Sequence, residues 1–197
     1  MDYFISLTIA GLVMGIIFAL MALGLTLIFS ILNVINFAHG EFYMLGGYAI
    51  FLLLEAFSGV PPILMVPIAG ILVAILGIVF EIAFLRPMHD EKIERPAEYA
   101  VLITFGLSFF LLNLALALWG PYPHSPPPFI EGSVRLGPIF VSADRLVASG
   151  MSLLLLALLL LIINKTWLGK ALRAVSQDKQ AAAVVGINSD VMNTIAF

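Results

Sequence analysis

Long apolar stretches, broken at a few points by charged residues, set the pattern of this chain. A transmembrane helix needs roughly 20 apolar residues to cross about 30 Å of hydrocarbon. Thirty positions from Tyr3 to Leu32 pass without a charge. They predict a first span that is longer than the bilayer requires, so it must tilt or lay one end in the interface. A second span is centred on Met44–Phe57 and is expected to start upstream, in the polar stretch Asn36–Glu41. The third runs from about Pro62 to Leu85. The fourth is Tyr99–Trp119, with an aromatic residue at each end, the usual placement at a membrane–water boundary. The fifth covers Leu146–Ile163, and a sixth begins near Val191. The fold expected is all-α, a polytopic transmembrane helix bundle of about five complete spans plus the start of a sixth. It would form one transmembrane domain over residues 1–197, incomplete at its C-terminus.

Composition agrees with this pattern. The 197 residues are 62% hydrophobic and 11% charged, against about 25% charged in a soluble domain, and the mean hydropathy is +1.12. Only Asp2 precedes the first apolar stretch, so no positive region marks that stretch as a cleaved signal peptide. A net charge of −3 offers no basic face to a phosphate backbone, which argues against a nucleic-acid partner. The absence of Cys removes disulfides, thiolate metal sites and cysteine nucleophiles.

The positive charges orient the spans. Arg86, Lys92 and Arg95 follow the third span, and Lys165, Lys170, Arg173 and Lys179 follow the fifth. Only Arg135 and Arg145 lie after the fourth. Cytoplasmic loops collect Lys and Arg, so the N-terminus is expected outside, with seven positive residues in the inner loops and two in the outer. The outer loop from Gly120 to Arg145 carries Pro121, Pro123, Pro126, Pro127, Pro128 and Pro138, which favour extended or turn backbone. It reads either as a stiff linker or as a docking surface for an external protein.

Enzymatic chemistry finds no support. The chain has no HExxH, no Cys/His zinc spacing and no nucleophile elbow. Gly169-Lys170 resembles the end of a phosphate-binding loop, but Asn164 stands where its first Gly is required and Ala171 where Ser or Thr is required. Small residues at four-residue spacing, Gly11, Gly15 and Ala19 in the first span and Gly70 and Ala74 in the third, favour close helix packing in lipid.

Three polar features remain. The segment Asn33–Tyr43 sets Asn33, Asn36, His39 and Glu41 beside strongly apolar sequence. It reads either as a turn among headgroups or as a polar, broken helix start facing a translocation path. Glu55 and Glu81, near span ends, are expected in the interface. The stretch Gly169–Asn188 predicts a short helix in Lys179–Val185, with Asp178 as N-cap, Gly186 as C-cap and small residues exposed. It could lie on the membrane surface or fill a groove in another protein. A secondary transporter or channel would instead need an ionisable residue deep in a span; the fourth and fifth spans carry none, and Glu81 keeps that alternative open.

Asn36-Phe-Ala-His-Gly-Glu-Phe-Tyr-Met-Leu-Gly-Gly-Tyr48, taken with Gly169–Asn188, closely resembles the LivH-like permease family of branched-chain amino acid ABC importers, over essentially the whole chain. The resemblance implies a non-enzymatic permease subunit in a bacterial plasma membrane, translocating branched-chain amino acids, urea or amides. It implies no cofactor on this chain, since ATP is used by partner subunits. The partners implied are a sister permease, two ATPases, an external substrate-binding protein and membrane lipid. Asn33, Asn36, His39 and Glu41 then become candidates for the path. Gly169, Arg173, Ala182 and Gly186 become candidates for coupling to an ATPase.

Overall fold

The computed structural model describes residues 2–197 apart from 33, 58, 90–92, 125, 127, 131, 137 and 138. Its elements in chain order are α1 (Asp2–Leu32), α2 (His39–Ala56), α3 (Pro62–Phe80), a π-helical turn (Glu81–Leu85), a 3₁₀ turn (Arg86–His89), α4 (Pro96–Trp119), β1 (Ser133–Leu136), β2 (Ile139–Ser142), α5 (Ala143–Lys165), α6 (Trp167–Gln177), α7 (Lys179–Val184) and α8 (Ser189–Ala196). The protein is an all-α polytopic membrane protein. Four helical segments, Tyr3–Leu32, Pro62–Met88, Pro96–Trp119 and Ala143–Lys165, are long and apolar enough to span a membrane. The expected second span corresponds to α2, whose 18 residues carry Glu41 in the first turn. It is not among those four. Side chains such as Leu12, Phe18, Ile71, Phe110 and Leu154 point outward from the long helices, as lipid contact requires.

The chain divides into two compact units, residues 1–26 with 128–170, and residues 27–127 with 171–197. In the first unit, the stretch after the prolines forms an antiparallel hairpin that pairs Ser133 with Ser142 and Val134 with Val141. The hairpin runs directly into α5, and the Asp144 carboxylate there accepts the Phe129 N–H at 2.7 Å. Part of the region expected as an irregular linker is thus ordered.

The second unit has its core at one end. Ile28, Leu32 and Val34 from the end of α1 meet Phe80, Leu85 and Met88 from the end of α3 and its turns, and Ala100 from the start of α4. Phe42, Phe80 and Phe197 form a ring cluster with centroids 5.7–6.4 Å apart, and each such pair adds about 0.5–1.5 kcal/mol beyond area burial. At the other end of α4, Trp119 stacks on Tyr48, midway along α2, at 4.3 Å. The end of α1, the start of α2, the end of α3 and the start of α4 therefore share a side, as alternate crossing requires.

Two expectations need correction. Glu81, expected among headgroups in the interface, is only 1% exposed and turned into the protein, whereas Glu55 is exposed. The reason is that Glu81 has partners distant in sequence, the Thr194 hydroxyl at 2.7 Å and Arg86 at 3.9 Å. The glycine stripes also lack the close packing expected of them. Among the described residues no atom lies within 4 Å of where a Cβ would sit on Gly11, Gly15 or Gly70, while Gly77 faces the Phe197 ring at 3.7 Å.

Candidate functional site

The polar segment before α2 is folded against α4. Asn36 is 4% exposed, and its side-chain carbonyl accepts the Ala38 N–H at 3.0 Å, while its backbone carbonyl accepts the His39 N–H at 3.4 Å. Such an Asx turn satisfies backbone groups that neither α1 nor α2 can reach. Thr104 on α4 is fully buried and lies 3.4 Å from the Ile35 carbonyl. Phe105 meets Phe37 edge to face at 6.1 Å. One helical turn further along α4, the Ser108 hydroxyl donates to Glu41 Oε1 at 2.7 Å.

The other carboxylate oxygen, Glu41 Oε2, is buried with no hydrogen-bond partner among the described residues. A buried carboxylate oxygen left this way is costly, and this marks Glu41 as the polar group of the segment with capacity to spare. His39 is half-buried at the first position of α2. Asn33, the fourth path candidate, lies outside the described residues. Thr104 and Ser108 escaped the sequence reading. Their signal was a pair of hydroxyl residues four apart in a largely apolar span, which puts both on one helix face.

The coupling candidates separate into three roles. Gly169 sits at the turn from α5 into α6, where a Cβ would collide with the backbone carbonyl of Ile163. Its N–H donates to the Thr166 hydroxyl at 3.2 Å. The requirement for glycine at this position is therefore internal to the turn. Arg173 is exposed on α6.

Ala182 and Gly186 belong to a helical hairpin built from local capping. Asp178 caps α7 by accepting the Gln180 and Ala181 N–H groups at 2.8 and 3.0 Å. Gly186 adopts φ +87°, the conformation that favours glycine after a helix. Its N–H bonds the Ala183 carbonyl, and the Ile187 N–H bonds the Ala182 carbonyl, both at 3.0 Å. Asn188 then caps α8 through the Asp190 and Val191 N–H groups at 3.0 and 3.2 Å. Ala182 corrects the expectation of an exposed small residue, because at 3% exposure it points inward. The tip presents Val184 and Val185 instead, 87% and 73% exposed, beside the open backbone of Gly186. Burial pushes the Lys179 ammonium below its usual range, partly offset by the Asp190 carboxylate.

Apolar spanning helices followed by a doubly capped polar hairpin with an apolar tip make this a polytopic membrane protein with an exposed apolar element outside its long helices. Residues 7–197 match the family described as branched-chain amino acid transport system, permease component, and the chain belongs to that family. It is 28% identical over 207 residues to the high-affinity branched-chain amino acid transport system permease protein LivH of Salmonella typhimurium, covering 99% of this chain and 66% of that one. It is 33% identical over 187 residues to the probable branched-chain amino acid transport permease protein LivH of Methanocaldococcus jannaschii, covering 90% of this chain and 56% of that one. The permease protein LivM of Escherichia coli is 27% identical over 206 residues, covering 92% and 46% respectively. The chain thus spans at most 66% of the length of these relatives. No solved structure matches it.

Proposed function

We propose that this chain is the membrane-spanning permease subunit of an ATP-driven importer. It moves branched-chain amino acids, or a related small polar solute such as urea or an amide, across the bacterial plasma membrane. It breaks no bond itself. Two ATPase chains supply the energy, a sister permease completes the pathway, and an external binding protein delivers the solute.

The observation that supports this reading best is the hairpin tip. Val184 and Val185 are two large apolar side chains almost fully open to solvent, held on a scaffold whose caps are all satisfied. A rigid, exposed apolar knob outside the spans is what a partner protein's groove recognises. Gly186 lets that groove approach the backbone. The positive loops on the same side favour a cytoplasmic location, where ATPases reside.

The solute path is assigned to the joint of Asn36–Glu41 with α4. Asn36 shapes the bend, Ser108 orients Glu41, and Glu41 Oε2 is the group with capacity left for a polar solute. A carrier without ATPases would need an ion-binding carboxylate in a span; Glu81 is occupied by Arg86 and Thr194, which leaves Glu41 as the carboxylate such a carrier would use.

Docking is tested at the tip. In the complete permease coexpressed with its ATPases, Val184→Arg or Val185→Arg should abolish copurification of the ATPases while leaving the amount of inserted permease unchanged. Normal copurification and transport in both variants would sink the docking assignment.

A further inference from the structure

The hairpin that carries the tip does not end in solvent. Its second helix, α8, is pinned to the end of α3 by two separate contacts. One is apolar: the Phe197 ring lies 3.7 Å from where a Cβ on Gly77 would sit and packs against the rings of Phe42 and Phe80. The other is polar. The Thr194 hydroxyl donates to Glu81 Oε2 at 2.7 Å and accepts from Arg86 Nη2 at 3.0 Å, with the Asp190 carbonyl, also at 3.0 Å, as the competing acceptor. Arg86 Nη2 lies 3.9 Å from the same carboxylate oxygen. Asn193, beside Thr194, is 1% exposed.

Glu81 opens the π-helical turn that ends the third span. Such turns inside longer helices collect at functional sites, because the wider ring is a local weakness in the helix. We propose that the joint of Glu81, Arg86 and Thr194 is the transmission contact of this permease, carrying displacement of the α7–α8 hairpin into the end of the third span. The proposal rests on the importer reading and adds to it the residues through which the hairpin would move a spanning helix.

Separating α8 from the turn is costly. A buried carboxylate deprived of its donors is strongly disfavoured, so α8 cannot leave the turn unless another donor replaces Thr194. Moving the two together keeps every bond. The π turn is the place where α3 can yield without breaking its apolar packing further up. Coupling then passes through a contiguous set of packed groups with an identifiable weak point.

A plain structural clamp and a transmission contact differ in one measurable ratio, substrate moved per ATP hydrolysed, which does not depend on how much folded complex is present. In proteoliposomes containing the complete permease, its sister subunit and the ATPases, with labelled leucine as the probe, Thr194→Val should lower that ratio about tenfold or more, the scale of a lost charge-assisted hydrogen bond. Glu81→Gln should lower it too. Thr194→Ser, which keeps the hydroxyl, should leave it near the starting value. The ATPases should still copurify with all three variants.

An unchanged ratio in Thr194→Val would overturn the proposal. So would a Thr194→Ser variant as defective as Thr194→Val, since loss would then follow packing and not the hydroxyl. Failure of the importer reading looks different: the unsubstituted permease would move leucine without ATP, or would bind no ATPase, and the transmission role would fall with it.

Discussion

Ser108 on α4 donates its hydroxyl to Glu41 on α2 at 2.7 Å across 67 residues of sequence. This bond fixes one oxygen of the Glu41 carboxylate in the first turn of α2 and leaves the other without a partner among the described residues. If Glu41 serves the solute path, the two oxygens have different tasks. Ser108→Ala should weaken transport modestly, because Glu41 is misoriented but still charged. Glu41→Leu should reduce it at least tenfold, the scale of a removed charge-assisted bond, and Glu41→Gln should fall between. Leucine uptake by cells carrying each variant checks the order. Equal uptake in Glu41→Leu and the unsubstituted protein would return the segment to a simple turn.

Gly169 tests whether a coupling candidate acts through docking or through its own turn. An added methyl would strike the Ile163 carbonyl, and overpacking of this kind costs about 1–3 kcal/mol. Gly169→Ala should therefore lower the thermal stability and yield of the permease even when no ATPase is expressed. Val184→Arg, at the exposed tip, should leave both unchanged. Thermal unfolding in detergent separates the two. A Gly169→Ala protein as stable as the parent would contradict the steric account.

How much of this was legible in advance follows from the range of each interaction. The spans were read from the spacing of charges, since each charge is a cost that any bilayer imposes. The caps Asp178 and Gly186 were equally legible, because a cap involves only neighbours in sequence. Ala182 was not: an alanine on a short helix reads the same whether it faces inward or outward, and only packing decides. Glu81 was placed in the interface because its hydrogen-bond donor Thr194 lies 113 residues away. Thr104 and Ser108 looked like incidental polar positions in a span until the Ile35 carbonyl and Glu41 were set beside them.

Topology gives an independent check of the charge argument. The chain lacks cysteine, so single cysteines report cleanly. Ser133→Cys should react with a membrane-impermeant thiol reagent in intact cells. Glu94→Cys and Gln177→Cys should react only after permeabilisation. Labelling of Glu94→Cys in intact cells would reverse the orientation and take the hairpin tip away from the cytoplasmic ATPases.

The central claim is that this chain forms the membrane pathway of an ATP-driven importer, and leucine uptake against a gradient tests it most directly. The complete permease is reconstituted in proteoliposomes with its sister subunit, the ATPase pair and the external binding protein, and labelled leucine is followed with and without ATP. The account predicts accumulation that requires ATP, the ATPases and the binding protein together, and that disappears with Val184→Arg at the hairpin tip. Leucine accumulation driven by an ion gradient in the absence of ATP, undiminished by Val184→Arg, would contradict it.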